Sequence, residues 1–172
     1  FWLYKPKGDK YTLEMDISLF VEFLEKNGFG NFELGLESMF VQLENNVLKR
    51  VRETSVNRFA KQYLEQLPEQ LEHGCTRQDL IRTFHNHLYP LVNKYQLNTL
   101  RTIKPQYKND TPTQAFKFFK NCFIEITSDG ITCHDYCNLD GVIWESQIIN
   151  RDFHISTIEE IAGESEFYIF LY

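Results

Sequence analysis

The residues best suited to chemistry are Cys133-His134-x-x-Cys137, with Cys122 nearby in sequence and His85-x-His87 far upstream. Zinc needs four thiolate or imidazole ligands converging tetrahedrally, usually from two paired knuckles. Here the second pair is missing at the right spacing, and adjacent Cys133 and His134 in a strand point to opposite faces. These residues are expected to be core or surface side chains with no metal. Cys75 follows His73, but a thiolate needs its base in space, and no local signature surrounds either residue. Asp129, Asp135, Asp140 and Asp152 fall on turns or strand ends, where solvated capping is the ordinary role. No Gly-x-x-x-x-Gly-Lys-Ser/Thr loop occurs, so these residues do not bind ATP by a Walker motif. The expectation is no catalytic residue and no cofactor in this segment.

A second chemistry belongs to Lys117-Phe118-Phe119-Lys120. Single-stranded nucleic acid is held by cations that follow the phosphates and by rings on which bases stack, at about 1–3 kcal/mol per base. The blander account makes the phenylalanines core and the lysines a solvated face. Charge supports the first: Lys94 to Lys120 holds six basic residues and one acid, a balance of +5, inside a chain of net charge −6. Lys49 to Lys61 adds five basic residues against Glu53, or +4, whereas Tyr11 to Glu44 and Glu125 to Tyr172 are strongly acidic. The candidate nucleic-acid-binding residues are therefore Arg101, Lys104, Lys108, Lys117, Phe118 and Lys120, with single-stranded DNA as the partner. Net acidity opposes strong binding by the segment alone, because long-range steering follows the whole field.

Hairpins and helices must position these residues. Cys122 to Thr127 and Ile131 to Tyr136 flank Ser128-Asp129-Gly130, a strong hairpin signal. Phe1 to Tyr4 and Tyr11 to Met15 predict another hairpin, with a polar tip. Asp16 suits an N-cap, and Leu19, Phe20, Phe23 and Leu24 recur at helical spacing until Asn27-Gly28. Met39 to Leu43 and Val47 to Val51 are β-prone around Asn45-Asn46, which tolerate a tight turn. Thr54 or Ser55 is expected to cap a helix through about Leu67. Thr76 opens another through about Tyr95, which Pro90 should kink or split in two. Leu97 to Ile103 reads as weakly strand-like, 104–114 as a loop, and Ser156 or Thr157 as the cap of a last short helix. Whether the helices between Thr54 and Tyr95 form a winged-helix arrangement with the hairpin that follows stays open.

The strands come in local antiparallel pairs, not βαβ alternation, so the expected fold is α+β: antiparallel hairpins packed against three or four α-helices. One domain covers 1–172, with a sub-boundary near 104–114. A chain that is 42% hydrophobic and 15% aromatic can bury a sizeable core without disulfides, so Cys75, Cys122, Cys133 and Cys137 are read as reduced thiols. No apolar run approaches the roughly 20 residues that span a bilayer, and no signal segment opens the chain, which predicts a cytoplasmic protein with no membrane partner. The opening Phe1 and the uncapped apolar run GESEFYIFLY point to an excised piece of a larger protein.

The succession FKNCFIEITSDGITCHDYCNLDGVIWESQIINRDF resembles the segment preceding the superfamily 3 helicase motor in primase-helicase replication proteins of phages and mobile elements. These are the poxvirus-type proteins, particularly the versions in Bacteroidetes genomes. Matching positions are Phe119, Asn121, Asp129, Gly130, Tyr136, Leu139, Asp140, Gly141, Ile143, Trp144, Gln147, Ile148, Ile149, Arg151 and Phe153. Trp2 in an aromatic hairpin, the strand pair within Phe40 to Val51 and the helix from Val56 also fit, whereas Cys122 stands where glycine is expected. The resemblance implies a non-catalytic connecting domain of a DNA replication primase-helicase, supporting DNA handling or ring assembly as a homo-oligomer. ATP and Mg are then expected only for an adjacent helicase domain. The alternative from a different class is a protein-interaction module without nucleic-acid binding, docking a partner through its acidic C-terminal half and exposed aromatics.

Overall fold

Half-buried and exposed side chains alternate along the first hairpin, where β1 (Trp2–Lys7) pairs antiparallel with β2 (Lys10–Met15) around Gly8 at φ +60. The computed structural model describes residues 1–154, so the helix expected from Ser156 or Thr157 lies outside the described residues. The chain divides into two compact units. The first comprises Phe1–Tyr107 and Gly141–Glu145, the second Lys108–Asp140 and the chain from Ser146. The division at Tyr107 falls within the 104–114 loop.

In the first unit, the Asp16 side chain accepts a hydrogen bond from Leu19 N at 2.9 Å and so caps α1 (Ile17–Lys26). Gly28 ends the helix at φ +79, and a Cβ there would collide with the Leu43 carbonyl. The chain then enters β3 (Phe29–Leu34), a strand that the sequence reading left out. It pairs with β4 (Glu37–Glu44), which pairs in turn with β5 (Val47–Arg50) around Asn45 and Asn46, at φ 48 and 63. Gly30 suits this strand because the segment after Leu100 crosses it closely: a Cβ would lie 2.6 Å from Ile103 Cγ1.

Helix α2 (Glu53–Glu65) starts earlier than Thr54 or Ser55, with Arg52 at the N-cap and no side-chain cap bond. Thr76 and Asp79 form the capping box of α3 (Arg77–Asn86). The single helix expected through Tyr95 is three pieces, since α4 (Leu88–Leu91) contains Pro90 and Asn93 caps a separate α5 (Lys94–Leu97). Leu97 to Ile103 is not a strand: it finishes α5 and then crosses β3, with an isolated bridge from Thr102 to Asn31. Phe20, Leu24, Val56, Ala60, Leu64, Leu80, Phe84 and Leu91, all fully buried, join these helices to the back of β3 in one core. Full burial of such a side chain is worth about 1.5–3 kcal/mol.

The described residues of the second unit are built around a sheet. Strand β6 (Ala115–Phe119) pairs antiparallel with β7 (Phe123–Thr127), and β7 with β8 (Gly130–His134), around the expected Ser128-Asp129 turn. The chain next returns to the first unit as β9 (Ile143–Trp144), parallel to β5, before β10 (Ile148–Ile149) runs parallel to β6. The sheets are thus antiparallel-rich with two short parallel edges, and the fold is α+β. Phe119, Cys122 and Ile124 form the core cluster on one face, against Ile126 and Phe153. No helix among the described residues is long and apolar enough to cross a membrane.

Candidate nucleic-acid interface

The six residues singled out from sequence fall in different places. Arg101 and Lys104 belong to the first unit, and Lys108, Lys117, Phe118 and Lys120 to the second. The Arg101 guanidinium donates to the Glu25 carbonyl at 3.2 Å, and its backbone N–H to Glu25 Oε1 at 2.7 Å, so the side chain is tied to the end of α1. Lys104 is exposed. On β6, Lys117 is exposed, while alternation turns Phe116 and Phe118 to the opposite face, where both are buried. Lys108 sits on that other face, its Nζ 4.5 Å from the Phe116 ring centre, so Lys108 and Lys117 do not share a patch. Phe118 is 7% exposed and packs on Phe123, which leaves no open ring for a base. Lys120 is exposed just beyond the strand, where its backbone N–H donates to the Arg151 carbonyl at 3.1 Å.

The cysteines of this unit are free thiols. Cys122 is buried, and burial, with Cys133 beside it, pushes its thiol up to about 11. Burial likewise pushes the Tyr136 hydroxyl up to about 12, although it donates to the Phe119 carbonyl at 2.6 Å. Among the described residues, no group of three or more His, Cys, Asp or Glu side chains converges to hold a metal ion. A small pocket of about 350 Å³ is lined by Lys108, Gln114, Phe116, Phe123, Glu125, His134 and the turn at 138–140. Gln114 Nε2 donates to Glu125 Oε1 at 2.7 Å, while His134 stacks on Phe123 with Nε2 3.5 Å from Glu125 Oε2. Lys108 and His134 thus cover the two rings, and the pocket offers ions and amides.

The concentration of cations that sequence reasoning missed lies in the first unit. A groove of about 840 Å³ is bordered by Ser38, Met39 and Phe40 of β4, by Arg50, Val51, Arg52, Glu53 and Thr54 leading into α2, and by Lys94 and Asn98. Three contacts build it. The Val51 N–H donates to the Phe40 carbonyl at 2.9 Å and holds the chain entering α2 beside β4. Buried Asn31 uses its Nδ2 on the carbonyls of Leu97, Asn98 and Leu100, at 3.2, 3.3 and 2.8 Å, and so fixes the end of α5. Asn93 Oδ1 accepts from Gln96 N at 3.0 Å and starts that helix where Lys94 meets the groove.

Arg50, Arg52 and Lys94 are exposed, and none forms an ion pair with a described residue. Glu53 is the one acid in the lining, so the groove carries a local excess of two positive charges. Beyond its rim in sequence, Tyr95 next to Lys94 is 87% exposed and Tyr89 83%. Unpaired cations near open aromatic rings are the elements of a single-strand binding surface. The visible sequence signals were the +4 balance from Lys49 to Lys61 and Lys94 beside Tyr95; the fold, not the local spacing, joins them. No family model, curated protein or solved structure matches this chain.

Proposed function

We propose that this chain is a non-catalytic connecting domain of a cytoplasmic DNA replication primase-helicase, and that it handles single-stranded DNA beside an ATP-dependent helicase domain that would bind the ATP and Mg. The observation that carries the DNA role is the groove of Arg50, Arg52 and Lys94, three cations with no ion-pair partner among the described residues, bordered by the hydroxyls of Ser38 and Thr54 and the amide of Asn98. The primase-helicase setting rests on the resemblance alone, carried by the segment from Phe119 to Phe153 and by the upstream hairpin, strand pair and helix that also fit. Phosphates lie along the three cations, with the open ring of Tyr95 available to a base.

The test is fluorescence anisotropy of a labelled single-stranded oligonucleotide at low salt. The wild type binds weakly, and the R50E/R52E/K94E variant loses binding. With three phosphates neutralised, log affinity falls against log salt with a slope of about −2. Reversal of Lys104, Lys108, Lys117 and Lys120 together leaves most of the affinity. Absence of binding by the wild type, or binding indifferent to the groove variant, removes the DNA role.

A further inference from the structure

Leu36 is 107% exposed and Leu34 61%, at the tip of the β3–β4 hairpin. The turn is Gly35-Leu36, closed by the Leu34↔Glu37 pair, with Gly35 at φ +62. A two-residue hairpin turn asks for glycine and small polar residues, not for leucine. Neither leucine packs into a described core cluster, so the fold itself gives no use for them. Glu33 and Glu37 bracket the pair, which makes the tip acidic, apolar and acidic again.

The complementary surface is in the same unit. The groove has Met39, Phe40 and Val51 as its apolar part, with Arg50, Arg52 and Lys94 around them. Opposed charges around an apolar contact set both register and partner choice. The tip cannot reach this groove in its own molecule. Strand β4 runs from Glu37 at the turn directly into Ser38, Met39 and Phe40 of the groove, along a ladder paired residue by residue to β3. A second molecule has no such restraint.

We infer that the Leu34–Leu36 tip of one molecule docks into the Arg50–Arg52–Lys94 groove of a second copy of this chain. The leucines cover Met39, Phe40 and Val51, and the two carboxylates meet the cations. The contact joins two different patches, so it can close as a reciprocal pair or continue head to tail. It depends on the nucleic-acid reading only for a consequence: DNA in the groove would displace the tip, because both compete for the same cations.

Sedimentation velocity on the purified chain tests this. The wild type gains mass with concentration, and added salt reduces the gain. L34S/L36S and R50E/R52E each associate at least about tenfold more weakly. An equimolar mixture of those two variants gives a 1:1 species, because one keeps the groove and the other keeps the tip; nonspecific stickiness predicts none. The single Leu36→Ser variant, altered at a side chain wholly in solvent, guards against misfolding and weakens association in the same direction. A wild type that stays monomeric, either double variant associating like the wild type, or the absence of a mixed species overturns the inference. Oligonucleotide binding by L34S/L36S separates the readings: if both hold, it matches that of the wild type at protein concentrations where the wild type is monomeric and exceeds it where the wild type associates, because the tip no longer competes for the groove. Self-association without any DNA binding leaves this contact standing and removes the DNA role.

Discussion

The two units bury their apolar residues by different means. In the first, side chains from five helices and a sheet close on one another, and Phe20, Leu24, Leu64, Leu80 and Phe84 reach 0% exposure. In the second, the described core is one sheet with Phe119, Cys122 and Ile124 on a face, and none of these is below 4% exposed. A helix layer contributes apolar side chains that fill the space above a sheet. Among the described residues the deeper core is therefore that of the first unit, which also holds the cationic groove. The groove gains from that support, because Lys94 lies far in sequence from Arg50 and Arg52 and must be kept beside them.

Each unit carries a buried cysteine that reports on it: Cys75 in the first, 7% exposed, and Cys122 in the second, 4% exposed. Alkylation in increasing urea, located by mass spectrometry, reads the two units separately. Phe84→Ala is the most severe way to strain the comparison, since it removes a fully buried ring from the helical core at a cost of about 3–5 kcal/mol. Cys75 then becomes reactive at much lower urea, while Cys122 keeps its wild-type midpoint. Equal shifts at both cysteines would show one cooperative block and dissolve the contrast.

Ile124→Ala is the reciprocal change and the smaller one. Ile124 lies on β7 beside Cys122 and is 4% exposed, so the loss is about 2 kcal/mol, at the low end for such truncations. It should release Cys122 and leave Cys75 protected. If Cys75 opens first even here, the sheet unit is the more stable one and the argument from core depth fails.

The sequence made local devices legible and non-local ones not. The Asp16 cap, the Asn45-Asn46 turn, the Ser128-Asp129-Gly130 turn and the Thr76–Asp79 box each lie within four residues, where side chain and backbone decide the outcome together. Strand β3 was hidden because a glycine at its second position weakens a local β signal; the reason for Gly30 is the segment around Ile103, some seventy residues on. The parallel pairings of β9 with β5 and of β10 with β6 join residues that no local pattern links. The groove was missed for the same reason: Arg52 and Lys94 meet only because Asn31 fixes the end of α5. Phe118 shows the opposite error, since a Lys-Phe-Phe-Lys run looks open in sequence but alternation in β6 buries the ring.

The mildest test acts at the edge of the helical core, where polar contacts can be separated from packing. Thr76 Oγ1 accepts from Asp79 N at 3.1 Å and donates to Asp79 Oδ2 at 2.6 Å, and the Thr76 backbone N–H also reaches Oδ2 at 3.2 Å. These hydrogen bonds, the one from the Thr76 hydroxyl foremost, hold the Asp79 carboxyl below its usual range, with Arg82 a minor contributor. Thr76→Ala should cost about 1 kcal/mol at neutral pH. Because the folded-state value is depressed, the carboxylate's share of that stability is fully present above the unfolded value and disappears as pH falls through the folded one. The gap between wild type and variant, measured by urea denaturation, should therefore hold steady above pH of about 5 and narrow on acidification below about 4. The change should appear at Cys75 and not at Cys122, because the box belongs to the helical unit. A gap that widens on acidification would mean that the neutral carboxyl, not the carboxylate, is the better partner for Thr76.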